Sequence, residues 1–118
     1  MTDPPLPASA LRVLVTGATG YIGGRLVPRL RQAGHRVRAM ARNPDKISDV
    51  PWASDVEVVR GDLTEPDTLD DACRDIDVVY YLVHSMNAGG EFIESERRSA
   101  ENLVSAAQRA GVRRIVYL

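Results

Sequence analysis

Cysteine, histidine and lysine are nearly missing from these 118 residues. A single cysteine, Cys73, excludes an intrachain disulfide and suits a reducing compartment, so a cytoplasmic location is expected. His35 and His84 are the only histidines; no metal-ligand spacing exists, and no metal is expected. Lysine occurs once, at Lys46, and the other 14 basic residues are arginine, which weakens any argument resting on an arginine alone. Sixteen acidic residues bring the net charge to −1, which gives no reason to expect nucleic acid or an anionic membrane as partner. No apolar run approaches the roughly 20 residues of a membrane span. The opening Met1-Thr2-Asp3-Pro4-Pro5 has neither the basic nor the apolar stretch of a secretory signal.

What is present, 44% hydrophobic and 26% charged residues, describes one globular domain. Residues 1–10 read as a Pro-rich, mobile leader, and 11–118 as the domain. Leu11–Thr16 is a short apolar run ending at Gly17, a buried strand. Tyr21–Ala33 carries Ile22, Leu26 and Leu30 at helical spacing and stops at Gly34. Within it Pro28 cannot donate to the Gly24 carbonyl, which predicts a mild kink. Arg36–Ala41 and Val56–Arg60 read as the second and third strands. Thr64-Glu65-Pro66 reads as an N-cap with proline in the first turn, opening a helix to about Arg74. Asp77–Val83 is nearly all apolar, as a central parallel strand must be. Phe92–Ala110 is the longest helix, and Arg114–Leu118 starts a fifth strand.

This alternation requires right-handed crossovers and a parallel sheet covered on both sides. The expected class is α/β, a Rossmann-type doubly wound sheet in the order 3-2-1-4-5. With nothing after the fifth strand to cover its side, the chain reads as the N-terminal portion of a longer protein, truncated there.

The strongest signal lies between the first strand and the first helix, in Thr16-Gly17-Ala18-Thr19-Gly20-Tyr21-Ile22-Gly23. Gly17 permits a sharp turn, Gly20 lets a pyrophosphate approach the backbone, and Gly23 lets the helix pack on the strand. Free N–H groups at the helix start then meet the phosphate charge. No Gly-Lys-Ser/Thr follows, so this is not a P-loop. The competing reading is an ordinary turn with packing glycines.

TGATGYIG resembles the G-x-x-G-x-x-G loop of extended and atypical short-chain dehydrogenases/reductases, especially the NmrA-like NAD(P)-binding group. Ala41-Arg42-Asn43-Pro44, Gly61-Asp62-Leu63, Tyr81-Leu82-Val83-His84-Ser85-Met86 and Ala110-Gly111-Val112-Arg113-Arg114-Ile115-Val116-Tyr117 follow in the same order. The resemblance implies cofactor contacts from Gly17, Ala18, Thr19, Gly20, Tyr21, Ile22 and Gly23. It further implies that Asp62 and Leu63 line the adenine, although a plain turn residue is the other reading of Asp62. Val83 and His84 should lie against the ribose, near the point where the strand order reverses. His84 could exchange protons, but a simple contact with cofactor or solvent is the commoner role. Asn102 reads as a buried structural amide and Cys73 as a small buried hydrophobe. Met86–Gly90 reads as a flexible loop.

At the end of the second strand, Met40-Ala41-Arg42 offers no carboxylate for the ribose hydroxyls that NAD enzymes of this fold engage. Arg42 can fork onto a 2′-phosphate instead, worth roughly 1.5–3 kcal/mol, or about ten- to hundredfold. NADP is therefore the expected cofactor, with NAD possible. Short-chain reductases usually work through Tyr-x-x-x-Lys. Here Arg25, His84 and Ser85 follow Tyr21, Tyr80 and Tyr81 by four residues, and Tyr117 has no such successor. Two functions remain: an NADP(H)-binding domain of an oxidoreductase acting on a small carbonyl-type substrate, or a non-catalytic dinucleotide sensor.

Overall fold

The computed structural model describes residues 10–47, 49–82 and 90–117. Its strands are β1 (Arg12–Thr16), β2 (Arg36–Ala41), β3 (Glu57–Arg60), β4 (Val78–Tyr81) and β5 (Arg114–Tyr117). They form one parallel sheet in the order β3-β2-β1-β4-β5, the doubly wound arrangement expected. Among the described residues three α-helices accompany them: α1 (Tyr21–Gln32), α2 (Pro66–Cys73) and α3 (Gly90–Ala110).

Strand alternation divides the core into two layers. Val13 and Val15 of β1, with Val37 and Ala39 of β2, turn to one face and pack with Val27 and Leu30 of α1. Leu14, Met40 and Val79 turn to the other and pack with Leu69 and Cys73 of α2 and Leu103 and Ala106 of α3. Among its described residues the connection from β2 to β3 contains only short 3-10 turns, Pro44–Lys46 and Ala53–Asp55. Ile47 and Trp52 from that segment complete the α1 layer, although no helix periodicity marks it.

Helix ends follow local chemistry. After α1, Gly34 N–H bonds Arg31 O at 2.9 Å and His35 N–H bonds Leu30 O at 3.1 Å, a Schellman closure. Pro28 lies inside α1, which runs through it unbroken. Two expectations need correction. The N-cap of α2 is Glu65, with Pro66 at N1; Thr64 is drawn back into a turn on Asp62 and cannot serve. Strand β4 ends at Tyr81, and Val83 lies outside the described residues.

Arg38 occupies a sheet position that pattern alone would give to an apolar side chain, in register with Leu14. Its guanidinium reaches Glu57 Oε1 at 2.6 Å, Ala72 O at 2.8 Å and Arg74 O at 2.7 Å. It thereby joins β2, β3 and the C-terminal carbonyls of α2 at the amino end of the sheet. Among the described residues no helix is long and apolar enough to cross a membrane.

Candidate functional site

The carboxyl end of β1 is held by a hydroxyl. Thr16 is fully buried; its Oγ1 donates to Tyr80 O and accepts from Leu82 N–H, each at 3.2 Å. Beyond it the chain turns at Gly17 with φ +67°, and a Cβ there would lie 3.2 Å from Leu82 O. Gly20 N–H closes the turn on Gly17 O at 3.0 Å. Gly20 is also the N-cap of α1, with no side-chain cap and no acidic residue in the first turn. Gly24 N–H to Gly20 O, 2.9 Å, is the first rung of the helix. The amides of Tyr21, Ile22 and Gly23 thus precede the ladder, at the positive end of the helix dipole. That is a cradle for an anion, and Gly20 puts no Cβ in front of it.

Gly23 works differently from the sequence reading. A Cβ on it would collide with Gly17 O and come within 2.8 Å of Ala18 Cα. The close approach is between the helix and the turn preceding it, so Gly23 sets the shape of the cradle rather than the packing on the strand. Ala18 is buried beneath, while Thr19, Tyr21 and Ile22 are exposed. The Arg25 guanidinium stands 4.3 Å over the Tyr21 ring, a cation–π pair that holds the phenol outward.

Arg42 follows β2 and is exposed. Asp62 and Leu63 follow β3, so the three groups occupy the carboxyl ends of three successive strands, β1, β2 and β3. Asp62 Oδ1 accepts from the Thr64 hydroxyl at 2.7 Å and from Thr64 N–H at 2.9 Å. These bonds hold its carboxyl below the ordinary carboxylate range, with a smaller contribution from the Arg42 charge. Asp62 N–H in turn donates to Thr68 Oγ1 at 2.9 Å. Asn102, half buried on α3, donates from Nδ2 to Leu63 O at 2.8 Å. Its role as a structural amide is as expected; its partner was not foreseeable, since 39 residues separate the two. Val83 and His84 lie outside the described residues.

Thr68 was not singled out from the sequence, Thr16 was read there only as the end of the first strand and Thr64 only as an N-cap. Only Asp62-Leu63-Thr64, an acid two residues before a threonine, carried a local signal for its turn. A charged concavity of about 540 Å³ lies at the other end of the sheet, among Arg12, His35, Arg36 and Glu57. It is remote from the cradle, on the side away from the strand termini that bind ligands in doubly wound sheets.

The sheet order and the uncapped, glycine-lined start of α1 define a dinucleotide-binding domain of the doubly wound class. The chain belongs to the NAD(P)H-binding family, whose model matches residues 17–118. It is 37% identical over 127 residues to a 3 beta-hydroxysteroid dehydrogenase/Delta 5-->4-isomerase of Mycobacterium tuberculosis, covering 99% of this chain and 34% of that protein. Dihydroflavonol 4-reductase of Zea mays is 36% identical over 118 residues, covering 89% of this chain and 33% of the reductase. Among solved structures, Citrobacter sp. triphenylmethane reductase complexed with NADP(H) superposes with a TM-score of 0.73 at 29% identity, over 90% of this chain and 36% of that one. A short-chain dehydrogenase/reductase superfamily protein from Agrobacterium tumefaciens with bound NAD gives 0.69 at 29% identity, over 90% and 31%. The chain spans about a third of the length of the curated relatives it matches.

Proposed function

We propose that this chain binds NADP(H) along the rim formed by the carboxyl ends of β1, β2 and β3, in an oxidoreductase acting on a small carbonyl-type substrate. One observation carries the reading: the open amides at the start of α1 share this rim with Arg42, and no carboxylate stands at the end of β2. The pyrophosphate would sit on the amides of Tyr21, Ile22 and Gly23, the 2′-phosphate against Arg42, and the adenine beside Asp62 and Leu63. When bound there, the dinucleotide would supply hydride-transfer chemistry. This chain's share is to hold and orient the cofactor. NADP in the Citrobacter reductase supports the choice, and NAD in the Agrobacterium protein keeps the other cofactor as the outcome to test against. The lone Cys73, well suited to a reducing compartment, supports a cytoplasmic setting.

A dinucleotide sensor is the second reading, in keeping with the resemblance to NmrA-like proteins. Calorimetric titration of the intact protein with NADPH and NADH tests the binding. NADPH should bind at least tenfold more tightly, and Arg42→Asp should abolish that preference while sparing NADH; equal loss of both overturns the NADP assignment. NADPH oxidation against a panel of aldehydes and ketones separates the two readings: turnover selects the enzyme, and tight binding without turnover selects the sensor.

A further inference from the structure

Asparagine is a poor residue for the interior of a helix, yet Asn102 lies in the middle of the 21-residue α3, directly before the buried Leu103. Its side chain is spent on one distant acceptor, Leu63 O. The peptide that joins Leu63 to Thr64 is therefore held at both ends. Its oxygen accepts from Asn102 Nδ2 at 2.8 Å, and its nitrogen donates to Asp62 Oδ1 at 2.9 Å. A peptide unit is planar, so fixing the oxygen also fixes the direction of the N–H. Accepting a bond at the oxygen also polarises the same unit and strengthens its donation. Three groups on two separate elements thus form one line: the Asn102 amide, the 63–64 peptide and the Asp62 carboxylate.

We propose that Asn102 is a positioning residue that aims the Asp62 carboxylate at the adenine half of a bound dinucleotide. This rests on the cofactor reading above and adds a part of α3 to the site. Asn102 touches no ligand; it acts through one peptide plane. Other groups around Asp62 cannot replace it, because Thr64 donates to the carboxylate but does not hold the peptide from behind, and Arg42 acts only as a nearby charge.

The test uses the intact protein, Asn102→Leu (similar volume, no donor) and Asn102→Ala. Affinity is measured for NADPH, for adenosine 2′,5′-bisphosphate as the adenine half, and for nicotinamide mononucleotide as the half without adenine. Loss of one hydrogen bond predicts that both variants bind NADPH and the bisphosphate about fivefold more weakly. Binding of the mononucleotide should not change. The Asp62 carboxyl, followed by carbon-detected NMR, should titrate at higher pH in both variants, a shift that simple loosening of α3 would not produce selectively. Unchanged affinities, or equal losses for the two halves, overturn the proposal. Should neither variant fold, the unsubstituted protein decides: the Asn102 side-chain amide resonances must move with adenosine bisphosphate and not with the mononucleotide, and unmoved resonances overturn it. An unsubstituted protein that binds none of the three would overturn the cofactor reading and this inference together. Tight binding with no response to Asn102→Leu overturns this inference alone.

Discussion

The two ends of the sheet treat their polar groups in opposite ways. At the amino end donors and acceptors are consumed within the protein. Arg38 serves Glu57 and two carbonyls, Leu11 N–H bonds His35 Nδ1 at 3.0 Å, and Arg12 N–H bonds Asp77 Oδ2 at 2.9 Å. At the carboxyl end of β1 the first amides of α1 are left without a side-chain cap, in a stretch where serine or aspartate would ordinarily add stability. Thr16, Thr68 and Asn102 pair backbone groups at the carboxyl end too, so the difference lies in the first amides of α1, which stay available. A structural helix start would gain about 1 kcal/mol from a capping side chain. Forgoing that gain is understandable where an incoming anion does the capping.

Substitutions at the two ends should therefore separate stability from binding. The largest effect is expected for Gly23→Val. Its side chain would have to push the helix away from Gly17 and Ala18, which costs about 3 kcal/mol of overpacking and destroys the cradle. Thermal unfolding and NADPH titration should both register it, the latter as loss of at least a hundredfold. A protein that keeps its affinity after Gly23→Val would break the contrast.

Arg38→Met is next. Losing the fork should destabilise by about 2 kcal/mol, much of it from the part-buried Ala72 carbonyl left without this donor, while NADPH affinity stays within a factor of two. The neighbouring Cys73 gives an independent readout. Burial pushes its thiol up to about 11, so labelling by a thiol reagent at pH 8 should be slow in the folded protein. Arg38→Met should speed that labelling, since the clamp holds the end of α2 on which Cys73 lies. An equal loss of nucleotide affinity would mean that the two ends are coupled.

A smaller effect concerns pH. The Asp62 carboxyl is depressed by its bonds from Thr64, so its contribution to stability is present above its ordinary value near 3.8 and is lost as pH falls through the lower folded value. Urea melts between pH 5 and pH 2 should show this acid limb, and Thr64→Val should flatten it. Smallest of all is Asp75→Gly, in the turn after α2. Asp75 holds φ +61°, where glycine has no Cβ to strain, and the change should add about 0.5 kcal/mol, visible as a slight rise in Tm.

Much of this molecule follows from local pattern. The alternation of short apolar runs with helical spacing determined the parallel sheet and its strand order, because crossover handedness leaves few ways to wind such a chain. TGATGYIG announced the tight turn and the uncapped start of α1, since glycine at those places between strand and helix suits such a turn. The two apolar faces of β1 were equally legible from Val13, Leu14 and Val15. Such features depend on neighbours within a few residues, and there sequence and geometry are nearly the same information.

Tertiary structure alone decided the rest, and the reason is distance along the chain. Asn102 meets Leu63 across 39 residues, Thr16 meets Leu82 across 66, and Arg38 meets Ala72 across 34. In each case the side chain satisfies a backbone group that no local signal marks as needing a partner. Gly23 was misread for a related reason: whether a missing Cβ makes room for a strand or for the turn beside it depends on how α1 leaves Gly20. Thr64 fits an N-cap by composition, but Asp62 competes for it with two bonds and leaves Glu65 to begin α2. Pattern chose the fold because burying apolar surface is non-directional; hydrogen bonds are directional, and their partners exist only once the chain has come together.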